Sequence, residues 1–153
     1  MKILVATDGS DFSKAAVDAL ATVVADPENT TFKIISTIEF PNMLASDPFI
    51  GASPEYYNEV EKAGHNQAKK AAEQAEVQIR SLFPNLSLNI TAEVVNGSPQ
   101  RVLVEKAQEW GADLIIVGSH GYGFWERALL GSVSNSVVHH APCSVLVVRN
   151  KGK

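Results

Sequence analysis

Glycine recurs at wide intervals in GSHGYGFWERALLGS, residues 118–132: Gly118, two residues, Gly121, nine residues, then Gly131 followed by Ser132. Glycine has no Cβ, so at Gly118 and Gly121 the main chain can approach a bulky anion and turn through positive φ. Gly131 and Ser132 open a helical pattern. The free N–H groups of residues 132–134 at such a helix start form a positive pole suited to phosphate. Two glycine corners and a helix N-terminus describe a phosphate cradle, and YGFWERALL is long enough to fold between them. The same residues fit a plainer arrangement, in which Gly121 and Gly123 shape a turn and Ser132 caps the helix. Spacing alone leaves both open.

Other phosphate and nucleophile chemistries lack their patterns. No GxxxxGK[ST] string occurs, so there is no P-loop, and GYGFWE breaks the dinucleotide-binding GxGxxG at its third glycine. VGSHG lacks the first glycine of a nucleophile elbow, and Glu126, the acidic residue after Ser119, is out of place for a triad acid. A phosphorelay receiver needs an aspartate at the end of its third strand, where Val95 and Asn96 stand. The SGGxDS loop of ATP pyrophosphatases is also missing.

Single side chains divide between chemistry and structure. Asp8 follows the first strand, where a carboxylate can take a ribose hydroxyl, and Asp8-Gly9 is also a common turn pair. Asp11 and Ser13 suit caps of the first helix. His120 either touches a phosphate or faces solvent, and Arg127 either reaches a phosphate or meets Glu126 or solvent. His139 and His140 end a helix whose dipole favours them. His65 reads as a surface residue. Cys143 is the single cysteine, so no internal disulfide forms, and it reads as a small buried hydrophobe. No activated nucleophile, acid–base pair or metal-ligand cluster stands out. Catalytic residues and metal ligands are read as none.

These residues depend on the elements that carry them. ILVA (3–6), FKIISTI (32–38), LIIV (114–117) and VLVV (145–148) are continuous or nearly continuous apolar runs, the pattern of parallel strands covered on both faces. NLSLNITAEVV (85–95) alternates instead, with Leu86, Leu88, Ile90, Ala92 and Val94 on one face, which places it at a sheet edge with its other face toward solvent. Helical stripes run through Phe12, Ala16, Leu20 and Val23, and through Val60, Gly64, Ala68, Ala71, Ala75, Ile79 and Leu82. A third stripe, Leu103, Ala107 and Trp110, is opened by Ser98 as cap with Pro99 in the first turn. A fourth, Val133, Val137 and His140 or Ala141, is stopped by Pro142. Trp110 and the alanines read as packing.

Strands alternating with helices predict a single-domain, doubly wound α/β fold over residues 1–153, with a five-stranded parallel sheet and right-handed crossovers. Residues 41–57, with Pro41, Pro48, Gly51 and Pro54, form one long irregular segment, either a flap over a site or a surface connection. The 153 residues, 45% of them apolar, suit one domain with a substantial core. A net charge of −4 and the lack of any basic run argue against a nucleic-acid partner. No run reaches bilayer-spanning length, and the apolar part of MKILVATDGS is too short for a signal peptide. A cytoplasmic protein with no membrane partner is expected. In open α/β sheets ligands bind beyond the strands' carboxyl ends. The loops to inspect are therefore TDGSDFS, TIEFP, VNGSP and the glycine stretch.

The full pattern Gly118-x2-Gly121-x9-Gly131-Ser132, continued as VSNSVVHHAPCSVLVVR, resembles the ATP-binding motif of the universal stress protein family. KILVATDGSDFSKAAVDAL and GSPQRVLVEKAQEWGADLIIVGSHG extend the likeness over nearly the whole chain except 41–57. The resemblance implies a five-stranded parallel sheet of the adenine nucleotide alpha-hydrolase-like kind. It also implies a homodimer with a stress-response role, in which ATP binding controls partner choice. Ala6 and Asp8 would then line the nucleotide site, Asp8 near the ribose, and Thr37 would meet adenine through its backbone. Gly118, Ser119, His120 and Gly121 would wrap ribose and phosphates. Gly131, Ser132, Val133 and Ser134 would hold the phosphate tail, with any Mg²⁺ held largely by the phosphates themselves. Arg127 occupies a position often basic in the family.

Tyr122 departs from the family by standing where a basic residue is common, Ser144 replaces a frequent proline, and Thr37 is more polar than the usual residue. The resemblance also implies that VLVV lies at a sheet edge, and an edge strand apolar on both faces suggests antiparallel pairing of residues 145–149 across a two-fold axis. A non-catalytic ATP-binding regulator is the leading reading. The alternatives are a slow ATPase, a binder of AMP or a cyclic nucleotide, and a dimeric interaction protein without nucleotide.

Overall fold

The computed structural model describes residues 1–39, 54–120 and 130–150. Strands β1 (Lys2–Ala6), β2 (Thr31–Ile38), β3 (Asn89–Asn96), β4 (Leu114–Gly118) and β5 (Ser144–Val148) form one sheet in the order β3-β2-β1-β4-β5. Every pairing is parallel, and Val5 at the centre lies beside Ile34 on one side and Ile116 on the other. The continuous apolar runs of β1, β2 and β4 are explained by burial on both faces, as expected for a sheet flanked by helices.

One core packs α1 (Asp11–Asp18), α2 (Leu20–Val23) and α3 (Pro54–Leu82) against one face, where Ile3, Val5, Phe32 and Ile34 meet Val17, Leu20, Ala75 and Ile79. The other packs α4 (Pro99–Trp110) and α5 (Ser132–His140) against the opposite face, where Leu4, Ile35, Ile115 and Val117 meet Leu103, Ala107 and Val137. Fully burying each large aliphatic side chain contributes about 1.5–3 kcal/mol, so these two layers supply most of the driving force.

Several local expectations need correction. The first helix is capped by Ser10, whose hydroxyl accepts the Ser13 N–H at 3.2 Å, and not by Asp11 or Ser13. That helix is also divided at Ala19, whose carbonyl accepts the Thr22 N–H at 3.0 Å in a tighter i→i+3 turn. Val23, assigned to the packing stripe, is 40% exposed as a result. Residues 54–57, assigned to the irregular segment, open α3, where the missing N–H of Pro54 costs no helical bond. The rest of that segment, through residue 53, lies outside the described residues from residue 40 on.

The alternating segment does form an edge strand, but it begins at Asn89, and its two faces are less distinct than the alternation suggests. Ile90 packs on the first core while Val95 packs on the second. Glu93 on the same strand is tied to Lys106 of α4 at 2.9 Å. At the amino end of the sheet, Lys2 Nζ donates to the Trp110 carbonyl at 2.9 Å. The ammonium groups of Lys2 and Lys33 lie 5.6 and 4.9 Å from the centroid of the Trp110 ring, so this side chain has a cation–π role besides packing.

Candidate functional site

From the sheet order, the chain leaves β1 toward β2 and leaves β4 toward β5, so the connections diverge between β1 and β4. A crevice at this switch point is where open α/β sheets bind ligands. Here it is a cavity of about 500 Å³, within the range of small-molecule sites.

Its first wall is the turn after β1. Thr7 is buried, and its N–H donates to the Ile35 carbonyl at 3.0 Å. Asp8 Oδ1 accepts the Ser10 N–H at 3.0 Å and the Ser10 hydroxyl at 2.6 Å, which fixes the carboxylate at the cavity mouth. Asp8 therefore both forms the turn and lines the site. Gly9 takes φ +76°, a conformation costly for other residues. A Cβ on Gly9 would lie 3.2 Å from the Ala71 Cβ, so the alanine face of α3 is what lets this turn sit down on the helix.

The second wall is the end of β2. Ile35 accepts from Thr7 on the β1 side, whereas Ile38 accepts the Gly97 N–H at 2.9 Å on the β3 side. Alternate residues of a strand direct their backbone groups to opposite neighbours. Thr37 thus directs its N–H and C=O to the β1 side, past Ala6, the last residue of β1. Thr37 lines the cavity.

The third wall joins β4 to α5. The Gly131 N–H donates to the Ser119 carbonyl at 2.7 Å, and the Ser119 N–H donates to the Val148 carbonyl at 2.7 Å. Gly131 is the N-cap of α5 and has no side chain to offer the helix amides. Ser132 is the first helical residue and not the cap. The amides of Ser132, Val133 and Ser134 lie in the first turn, where N–H groups have no intrahelical acceptor.

A Cβ on Gly131 would stand 3.1 Å from the Ser119 oxygen and 3.3 Å from His120 Cα, so only glycine lets the two segments close fully. Ser134 is 2% exposed, and its hydroxyl shares its single proton between the carbonyls of Ser119 (3.0 Å) and Gly131 (3.1 Å). Of Ser134, it is the amide that can meet a phosphate. His120 borders the cavity, with its ring 5.4 Å from that of Phe12 and its Nδ1 3.1 Å from the Ser119 hydroxyl.

Ala6, Asp8, Thr37, Gly118, His120, Gly131, Ser132, Val133 and Ser134 therefore line one cavity, although they come from four separate segments. Ser119 is buried and is not among the lining residues. Gly121 and Arg127 lie outside the described residues. Gly118 has a role the sequence did not reveal: a Cβ there would collide with the backbone of Phe12 at 2.7 Å. Sequence reasoning also missed Ile38, Glu39, Gly64, Gln67 and Leu103 at the cavity wall. Of these, Gly64 carried a signal, because a glycine inside a long helix costs about 1 kcal/mol against alanine.

Outside the cavity, Cys143 packs beside the second core, and its thiol is pushed up from its ordinary pKa by burial and then by the negative charge of Asp113. Among the described residues no cluster of three or more histidine, cysteine, aspartate or glutamate side chains could hold a metal ion. Nor is any helix there long and apolar enough to cross a membrane.

Residues 1–149 match the model of the universal stress protein family. The universal stress protein YxiE of Bacillus subtilis is 33% identical over 161 residues, covering 97% of this chain and 98% of that one. Among solved structures, the hypothetical protein MJ0577 superimposes with a TM-score of 0.78 at 26% identity, covering 99% of this chain and 97% of that one. A universal stress protein solved in complex with cAMP gives a TM-score of 0.67 at 26% identity, covering 97% and 96% of the two chains.

Proposed function

Because the chain belongs to the universal stress protein family, we propose that it binds ATP in the cavity between β1 and β4 and acts as a stress-response regulator whose nucleotide state sets its choice of partners. The observation that carries this reading is the placement of an anion-seeking helix start and the end of β2 around one cavity. Gly131 and the amides of residues 132–134 stand at one wall, and the Thr37 backbone stands at another. A base needs a backbone donor and acceptor along its edge. A phosphate tail needs converging N–H groups and no side chain in the way.

The roles follow from position. Thr37 N–H and C=O pair with the adenine edge beside Ala6. Asp8, held by Ser10, accepts from the ribose hydroxyls. Gly118, His120 and Gly121 surround ribose and phosphates, buried Ser119 ties their segment to α5 and β5, and Gly131 with the amides of Ser132, Val133 and Ser134 holds the tail. Arg127 adds a positive charge to the phosphates, and Mg²⁺ is held mainly by phosphate oxygens. The chain acts as a homodimer through residues 145–149, since β5 is an edge strand with Val145, Leu146, Val147 and Val148 all only partly covered.

The relative solved with cAMP supports a second reading, in which a monophosphate or cyclic nucleotide is the ligand. Isothermal titration of the nucleotide-stripped protein with ATP and Mg²⁺, AMP and cAMP separates the two. Saturable ATP binding at about one per chain, much tighter than AMP, is the expected result, since each further phosphate meets helix-start N–H groups. Tighter binding of cAMP or AMP would favour the second reading, and no binding to any of the three would overturn both.

A further inference from the structure

Ser119 is held from two directions. Its N–H is bonded to Val148, the last residue of β5, and its carbonyl accepts from the Gly131 N–H and the Ser134 hydroxyl at the start of α5. Ser119 and Ser134 are each 2% exposed, so these bonds form away from competing water. Resting on the reading of the cavity as a nucleotide site, we propose that Ser119 passes occupancy of the α5 N-terminus to edge strand β5. Ser134 is the positioning residue that holds this link, and the strand it reaches is the one a second copy of this chain would pair with.

The physical argument starts at the helix end. An anion binds there only while Gly131 and the amides of residues 132–134 keep one arrangement. That arrangement also places the Gly131 N–H and the Ser134 hydroxyl on the Ser119 carbonyl. Gly131 lies close against Ser119 and His120, where a Cβ would stand 3.1 and 3.3 Å from their atoms, and the bonds from the Gly131 N–H and the Ser134 hydroxyl to the Ser119 carbonyl tie the two segments together. Displacing the Ser119 main chain would in turn pull its N–H from Val148. A ligand that binds only the assembled arrangement therefore favours a docked β5, and by linkage a docked β5 favours the ligand.

β5 is suited to respond. It pairs with β4 over five residues and, among the described residues, has no strand on its other side, whereas the opposite edge strand, β3, pairs with β2 over eight. Nothing in the Ser119 link reaches β3.

Hydrogen exchange read by mass spectrometry tests this on the full chain, with and without saturating ATP and Mg²⁺. Exchange of the peptide spanning 144–150 should slow about tenfold on binding, the factor commanded by one hydrogen bond of ordinary net worth, while the β3 peptide 89–96 changes far less. Plain ligand stabilisation would slow both edges together, so equal slowing overturns the proposal. At saturating ATP, Ser134→Ala should lose the selective slowing of β5 and, by the same linkage, need more ATP to saturate, and Ser134→Thr, which keeps a hydroxyl, should retain the slowing. Selective slowing that persists in Ser134→Ala overturns the role of Ser134. If Ser134→Ala does not fold, the comparison of the two edges in the unaltered chain decides. ATP binding with no change at β5 overturns this inference alone, whereas failure of ATP to bind overturns the site reading and the inference together.

Discussion

Gly118 lies so close to Phe12 that a Cβ built on it would stand 2.7 Å from both the carbonyl carbon and the oxygen of Phe12. The obstacle is backbone, which cannot swing aside as a long side chain can. The glycine that ends β4 is therefore required first by the seating of α1. It serves the ligand through that seating, because the turn carrying Asp8 leads directly into α1.

Gly118→Ala should destabilise the protein by about 1–3 kcal/mol, the usual cost of forcing extra volume into a closed contact. It should weaken nucleotide binding as well, because displacing the start of α1 shifts Asp8 and Ser10. Urea unfolding and titration calorimetry read the two effects. A variant of unchanged stability that still loses binding would mean that Gly118 acts on the ligand directly.

Gly131→Ala should show the opposite balance. Its Cβ would meet the Ser119 oxygen at 3.1 Å, a contact relieved by a shift of a few tenths of an ångström. The fold should survive with a small loss, but the shift moves the amides at the phosphate end. ATP affinity should fall about tenfold or more, equivalent to one good hydrogen bond or roughly 1.4 kcal/mol. Calorimetry checks this, and an unchanged Kd would place the phosphates elsewhere.

Asp8→Asn separates the turn from the ribose. The carboxamide oxygen can still accept from the Ser10 N–H and hydroxyl, so stability should change by no more than about 0.5 kcal/mol. A charged acceptor is lost, however, and hydrogen bonds to charged groups are worth about 1.5–3 kcal/mol against 0.5–1.5 for neutral ones. ATP should bind about tenfold more weakly, while 2′,3′-dideoxy-ATP binds both proteins alike. Equal weakening of both ligands would exclude a ribose contact for Asp8.

Cys143 should resist alkylation. Burial and the charge of Asp113 both disfavour the thiolate, raising the pKa above that of the unfolded chain, so at any given pH the folded protein holds less of the reactive form. The pH at which iodoacetamide reacts at half its maximal rate should lie higher in the native protein than in urea. A lower midpoint in the native protein would point to an activating partner instead.

The sheet was legible in the sequence because β1, β2 and β4 are covered on both faces and contain few interrupting polar residues. The cavity was legible because its glycines and Asp8 fall at strand ends. What stayed hidden depends on contacts between distant segments. The constraint on Gly118 comes from Phe12, more than a hundred positions earlier, and nothing local to either residue signals it. Ser134 looked like a phosphate ligand, but its hydroxyl turns back to the carbonyls of Ser119 and Gly131. Asp11 and Ser13 are both good cap residues by type, and only the turn held by Asp8 puts Ser10 in the capping position.

The lysine clamp on Trp110 has an optical consequence. The indole sits at the amino end of the sheet, opposite the strand ends that frame the cavity, with cations 4.9 and 5.6 Å from its centre. The protein has two tryptophans, and the other, Trp125, falls in the glycine stretch. With Trp125→Phe in place, emission would come from a fluorophore whose surroundings change when the fold opens and not when the cavity fills. The molecule thus contains its own reference signal, by which unfolding can be followed at any ligand concentration.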